Sequence, residues 1–170
     1  SSGLGRVDID GENKSFSRVI SDAMPDGGNP ALSIEKNIIT EEYIIAVSGV
    51  TTYYSASTDS NEPKGTGISY SIDSGETWKL MDQPIVENPE EGLYHQIEWG
   101  TDTLQVLAVT TAVNNVSYDL AIGGNYIYST SWAGGLQRFD YSNEEPQWEI
   151  IPLPMDDQDS LNCSHIDVDI

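Results

Sequence analysis

The chain has 170 residues, and 28 Asp plus Glu against 7 Lys plus Arg give it a formal net charge of -21. Phosphate recognition needs a clustered basic patch that releases counterions, and Lys14, Arg18 and Lys64 stand singly; nucleic acid and anionic membrane surfaces are therefore poor partners. No run reaches the ~18 apolar residues of a membrane helix, while 38% hydrophobic and 9% aromatic residues suffice for a folded core.

The length fits one domain or part of a larger one. Residues 1–11 contain no basic n-region followed by an apolar stretch, so a signal peptide is expected to be absent or already removed. The single Cys163 cannot close an internal disulfide and matches no metal spacing.

No window carries the apolar spacing of an amphipathic helix, whereas short strand-like runs are frequent. In chain order, Gly3-Leu4-Gly5-Arg6-Val7-Asp8 reads as a strand, followed by the acidic stretch Asp8-Ile9-Asp10-Gly11-Glu12-Asn13. Residues 22–30 are a turn-rich acidic loop. Tyr43 to Val47 and Thr51 to Ser55 read as two strands of a hairpin turning at Ser48-Gly49. Gly67 to Ile72 and Trp78 to Met81 complete a four-stranded meander, across the turn Asp73-Ser74-Gly75-Glu76. Tyr94 to Trp99 and Leu104 to Thr110 predict a further hairpin. Tyr118 to Ile122, Tyr126 to Ser131, Gly135 to Tyr141 and Trp148 to Ile151 predict a second meander.

The two meanders look like copies. Ala46-Val47-Ser48-Gly49 aligns with Ala121-Ile122-Gly123-Gly124, and Tyr54-Ser55 with Tyr128-Ser129. Gly67 aligns with Gly135, and Trp78 with Trp148, each with a proline six residues on. Gly3-Leu4-Gly5-Arg6-Val7-Asp8 echoes Gly135-Leu136-Gln137-Arg138-Phe139-Asp140. Repeated four-stranded units are the mark of a β-propeller. The expected fold is all-β: antiparallel four-stranded blades of a partial propeller of about three blades. Expected blades span 1–25 (a second half), 41–84, 93–111 (small or degenerate), 116–154 and 164–170 (a first strand). Closed propellers have ~4–8 blades, so the chain is expected to be a segment of a longer one, or to be completed by neighbouring chains at its open strand edges.

The most specific motif is Ser71-Ile72-Asp73-Ser74-Gly75-Glu76-Thr77-Trp78, which fits the Asp-box pattern S-x-D-x-G-x-T-W at every defined position. An Asp there can accept backbone N–H groups of the turn, a glycine admits positive φ, and the tryptophan packs the turn onto its sheet. On these residues the sequence resembles the sialidase-type Asp-box (BNR-like) β-propeller repeats, and the stretch Ser131-Trp132-Ala133-Gly134-Gly135-Leu136 is similar to blades of large exported bacterial propeller proteins. The resemblance implies a structural role for Ser71, Asp73, Gly75, Thr77 and Trp78. It implies a secreted, cell-surface or periplasmic location, but no activity, because Asp boxes lie away from catalytic centres.

A sialidase site would need an arginine triad, and the chain has only Arg6, Arg18 and Arg138. Another glycosidase would need two close carboxylates, which sequence cannot pick from 28 acids. Trp99 and Trp132 are candidate sugar-stacking residues, against the plainer reading of turn or core packing. Asp8, Asp10 and Glu12 alternate around Gly11 like part of a calcium loop, so Ca2+ is the one candidate cofactor; a solvated turn is the plainer reading. His95 and His165 share no ligand spacing. The expected function is a non-catalytic exported segment for protein or glycan recognition or surface assembly. The alternatives are part of a sialidase- or glucanase-like enzyme, or a structural subunit of an extracellular assembly.

Overall fold

The computed structural model describes residues 4–7, 9, 15–83, 85, 94–107, 111–131 and 134–151. Among them there is no helix; every regular element is a strand, and every pairing is antiparallel. Two four-stranded sheets form the centre. The first runs in the order β3 (Leu32–Lys36), β4 (Tyr43–Ser55), β5 (Ser60–Ser71), β6 (Lys79–Met81). The second is β9 (Ser117–Gly123), β10 (Tyr126–Ser131), β11 (Gly135–Asp140), β12 (Glu149–Ile151). Two separate two-stranded hairpins complete the described strands: β1 (Gly5–Val7) with β2 (Phe16–Arg18), and β7 (Tyr94–Trp99) with β8 (Asp102–Leu107).

The second meander and the β7–β8 hairpin match the expected strands closely. The first meander does not. Tyr43 to Ser55 is one continuous strand, not a hairpin at Ser48-Gly49. Its partner β5 runs alongside for the whole length, from Ile45 opposite Ser71 to Ser55 opposite Ser60. The irregularity at Gly49 is a bulge: Ser48 faces Ile68 and Val50 faces Gly65, so two residues of β5 oppose one of β4. A β-rich run, a glycine and another β-rich run describe a bulged strand as well as a hairpin. The missing first strand is Leu32–Lys36, which lies outside the expected 41–84 unit.

Register then corrects the repeat alignment. Tyr70 lies opposite Lys79, the residue after Trp78; Arg138 lies opposite Glu149, the residue after Trp148. Setting Tyr70 equivalent to Arg138 makes Gly67 equivalent to Gly135, as the sequence predicts, and both hold positive φ, 98° and 64°. The same ladders pair Ile45 with Ile127 as equivalents, and Leu32-Ser33-Ile34 with Leu120-Ala121-Ile122. Ala46 is therefore the counterpart of Tyr128, not of Ala121.

Side chains alternate across a strand, so register also shows which way each sheet faces. Ile44, Ala46, Ile68 and Tyr70 of the first sheet meet Leu120, Ile122, Ile127 and Phe139 of the second in one buried cluster. The Phe139 ring lies 5.2 Å from that of Tyr70 and 4.8 Å, edge-on, from that of Trp148. The counterparts of Tyr70, Ile68, Ala46 and Ile44 are Arg138, Leu136, Tyr128 and Tyr126, which point away from the first sheet. The two sheets are thus stacked in the same sense, front to back. A sandwich related by a two-fold axis would turn equivalent positions toward each other.

Polar groups fill one end of the interface. The Gln83 side chain accepts from the Gly67 N–H and donates to Ser117 Oγ, each at 3.3 Å, and Ser129 Oγ donates to Ser117 Oγ at 2.7 Å. All of these side chains are buried, so the network ties the first sheet's exit to the first strand of the second.

Candidate functional site

The Ser71–Trp78 segment is a closed turn between β5 and β6. Ser71 Oγ donates to Asp73 Oδ1 at 2.7 Å and accepts the Gly75 N–H at 2.8 Å. Asp73 Oδ1 also accepts the Thr77 N–H at 2.8 Å, and Oδ2 accepts the Thr77 hydroxyl. Trp78 Nε1 donates to the Gly75 carbonyl at 3.1 Å. Ser74 and Gly75 both hold positive φ, 59° and 87°. The turn is tied to the start of β4 by Ser74 N–H to the Tyr43 carbonyl at 3.0 Å and Tyr43 N–H to Ser74 Oγ at 2.9 Å. The five residues singled out in the sequence therefore come together, and both Asp73 oxygens are occupied by the turn itself.

Partial burial pushes the Asp73 carboxyl upward. Hydrogen bonds from the Thr77 side chain and N–H, from Ser71 and from the Glu76 N–H outweigh that and hold it below its ordinary value of 3.8. A folded-state value below the unfolded one stabilises the protein above the unfolded value, and that stability is lost as pH falls through the folded one. Asp73→Ala is expected to cost about 1–2 kcal/mol at neutral pH, the cost of a lost cap. The gap from wild type should narrow as pH falls below the ordinary value of 3.8, where the unfolded carboxyl takes up its proton before the folded one does. Urea titrations at both pH values check this; an equal gap at acid pH would mean that the carboxylate charge contributes nothing.

The corresponding turn of the second sheet uses different residues for the same work. Asp140 Oδ1 accepts the Ser142 N–H at 2.9 Å and its hydroxyl at 2.6 Å, and Tyr141 OH donates to the Gly124 carbonyl at 2.7 Å. Trp148 packs on Phe139 and donates to the Asp82 carbonyl at 2.9 Å, a link between the two sheets.

Among the described residues, the outer face of the first sheet is open at its β3 side, although Val47 and Ser69 on that face are buried, and the outer face of the second sheet is half-buried. On the first sheet, Leu32, Ile34 and Tyr43 are 50%, 54% and 47% exposed. On the second, Arg138 lies 4.3 Å from the centre of the Tyr126 ring and 5.9 Å from that of Tyr128, and pairs with Glu149 at 2.7 Å. The hydrogen bond to Glu149 is the main reason the guanidinium is held more firmly protonated than usual, with partial burial acting against it. Neither face was singled out in the sequence. The signal was the recurring Leu-x-Ile of Leu32-Ser33-Ile34 and Leu120-Ala121-Ile122, hidden by the shifted alignment.

Other expected sites fare differently. Trp99 lies in β7 opposite Asp102, beside the hairpin turn. Trp132, Asp8, Asp10 and Glu12 lie outside the described residues, as do Cys163 and His165. Among the described residues, no three His, Cys, Asp or Glu side chains group as a metal site, and no helix is long and apolar enough to cross a membrane. A cleft of about 410 Å³ opens between the end of β2 and the following loop, lined by Leu4, Arg18, Ile20, Met24 and Asp26 among others. It shares no residue with the turn or with the open faces.

No family model, curated protein or solved structure matches the chain.

Proposed function

We propose that this chain is a non-catalytic segment of an exported Asp-box β-propeller, and that its role is assembly or recognition through its sheet faces. The observation that carries the reading is the front-to-back stacking of two four-stranded sheets at matched register, with Leu120 and Ile122 buried where Leu32 and Ile34 are open. Blades arranged around an axis repeat one interface in one sense, so each blade buries one face against the blade before it and the other against the blade after. Ser71 to Trp78 then act as the structural box. The exported setting follows the resemblance and the acidity.

The carboxyl chemistry of the box fits a structural part better than a catalytic one. A glycosidase acid needs a raised pKa, and Asp73 is displaced downward with both oxygens engaged. Incubating the purified chain with fluorogenic sialosides and β-glucosides tests this. The expected result is no fluorophore release above a protein-free blank. Release that scales with protein and disappears when one carboxylate is substituted would replace the reading with that of a carbohydrate-active enzyme.

A further inference from the structure

The outer faces of the two sheets occupy the positions, by register, of the two halves of an interface the chain already makes once. The first sheet's open face carries Leu32, Ile34 and Ile45 at the positions where the second sheet buries Leu120, Ile122 and Ile127. The second sheet's half-buried outer face carries Tyr126, Tyr128, Leu136 and Arg138 where the first buries Ile44, Ala46, Ile68 and Tyr70. One molecule therefore holds, at equivalent register, both sides of a front-to-back contact, with Tyr126, Tyr128 and Arg138 in place of Ile44, Ala46 and Tyr70.

From this we propose that the chain binds a second copy of itself front to back, the Tyr126–Tyr128–Arg138 face of one copy covering the Leu32–Ile34 face of the next. The proposal rests on the blade-stack reading above. The contact is heterologous, so repeating it closes a ring or extends a stack. Leu32 and Ile34, exposed at 50% and 54%, gain the apolar cover that Leu120 and Ile122 have at 4% and 8%. Arg138 enters the contact already paired with Glu149, and the other charges in register with the two faces, Lys36 and Asp119, sit toward their margins. A net charge of -21 on each copy opposes approach, and this repulsion is screened by salt. Association is therefore expected to strengthen as ionic strength rises, the opposite of a contact held by ion pairs.

Sedimentation velocity on the full chain over a wide concentration range, at ~0.01 M and ~0.5 M salt, tests the proposal. Wild type is expected to form species heavier than the monomer, more so at high salt. Ile34→Glu and Tyr128→Glu should each weaken association at least ~10-fold, as loss of an interface anchor does. Ile9→Glu makes the same charge change at an exposed site on neither face and should leave association unchanged. An equimolar mixture of Ile34→Glu and Tyr128→Glu should form a dimer and nothing larger, because each supplies the face the other lacks. A wild type that melts cooperatively yet stays monomeric throughout overturns the docking. So does a mixture that fails to dimerise while wild type associates. Hydrolysis of the fluorogenic substrates would sink the underlying reading by a separate route and leave the association data standing.

Discussion

Phe139→Ala is expected to destabilise the protein by about 3–5 kcal/mol, the usual cost of truncating a buried aromatic. Phe139 has no exposed surface, and its ring touches Tyr70 of the facing sheet and Trp148 of its own. The substitution removes apolar contact and leaves a cavity at the point where the two sheets meet. Domains of this size have ~5–15 kcal/mol in total, so much of the margin would go. Urea unfolding followed by tryptophan fluorescence measures the effect, with Phe16→Ala as the comparison. Phe16 is 74% exposed and should change stability by less than ~0.5 kcal/mol. If the two substitutions cost the same, the stacked sheets are not the core of this protein.

Gly67→Ala has the second-largest expected effect. Gly67 holds φ at 98° within the bulge of β5, and a Cβ built there would meet the Met81 carbonyl oxygen at 2.4 Å. The strained backbone alone costs ~1–3 kcal/mol, and the clash pushes β6 away from β5. The Gly67 N–H is also the donor to Gln83, so displacement reaches the buried polar network between the sheets. Gly124→Asn is the informative contrast. Gly124 holds φ at 58° with nothing within 4 Å of its Cβ position, and asparagine tolerates that conformation. Its cost should stay within a few tenths of a kcal/mol. Thermal melts of the two variants side by side check the pair. A Gly67→Ala protein as stable as Gly124→Asn would show that β6 moves aside freely.

The Ser71–Trp78 turn was readable residue by residue because the hydrogen bonds that shape it, those of Ser71, Asp73, Thr77 and Trp78, are local; only Ser74 reaches out, to Tyr43. Serine, aspartate, glycine and threonine satisfy one another within eight positions, whatever the rest of the chain does. The second meander was readable for a similar reason: Gly123-Gly124-Asn125 punctuates it where the chain turns. The first meander was misread because Gly49 has two uses. In isolation it suggests a turn; in the protein a Cβ there would meet Thr66 Oγ1 at 2.2 Å and Pro25 Cβ at 2.4 Å. It is a close-approach glycine inside a long strand, and only the neighbours reveal that.

The all-β character, the turn chemistry, the absence of helical periodicity and the Gly-to-Trp spacing that equates Gly67 with Gly135 were all determined by the sequence alone, since each depends on residues close together in the chain. Which apolar faces are covered was decided by the tertiary structure. Leu32-x-Ile34 and Leu120-x-Ile122 are the same local pattern in the same strand position, yet one pair is open and the other buried. Burial depends on what stands opposite a face, and the partners of Leu120 and Ile122 sit on a sheet that begins about ninety residues earlier in the chain, at Leu32.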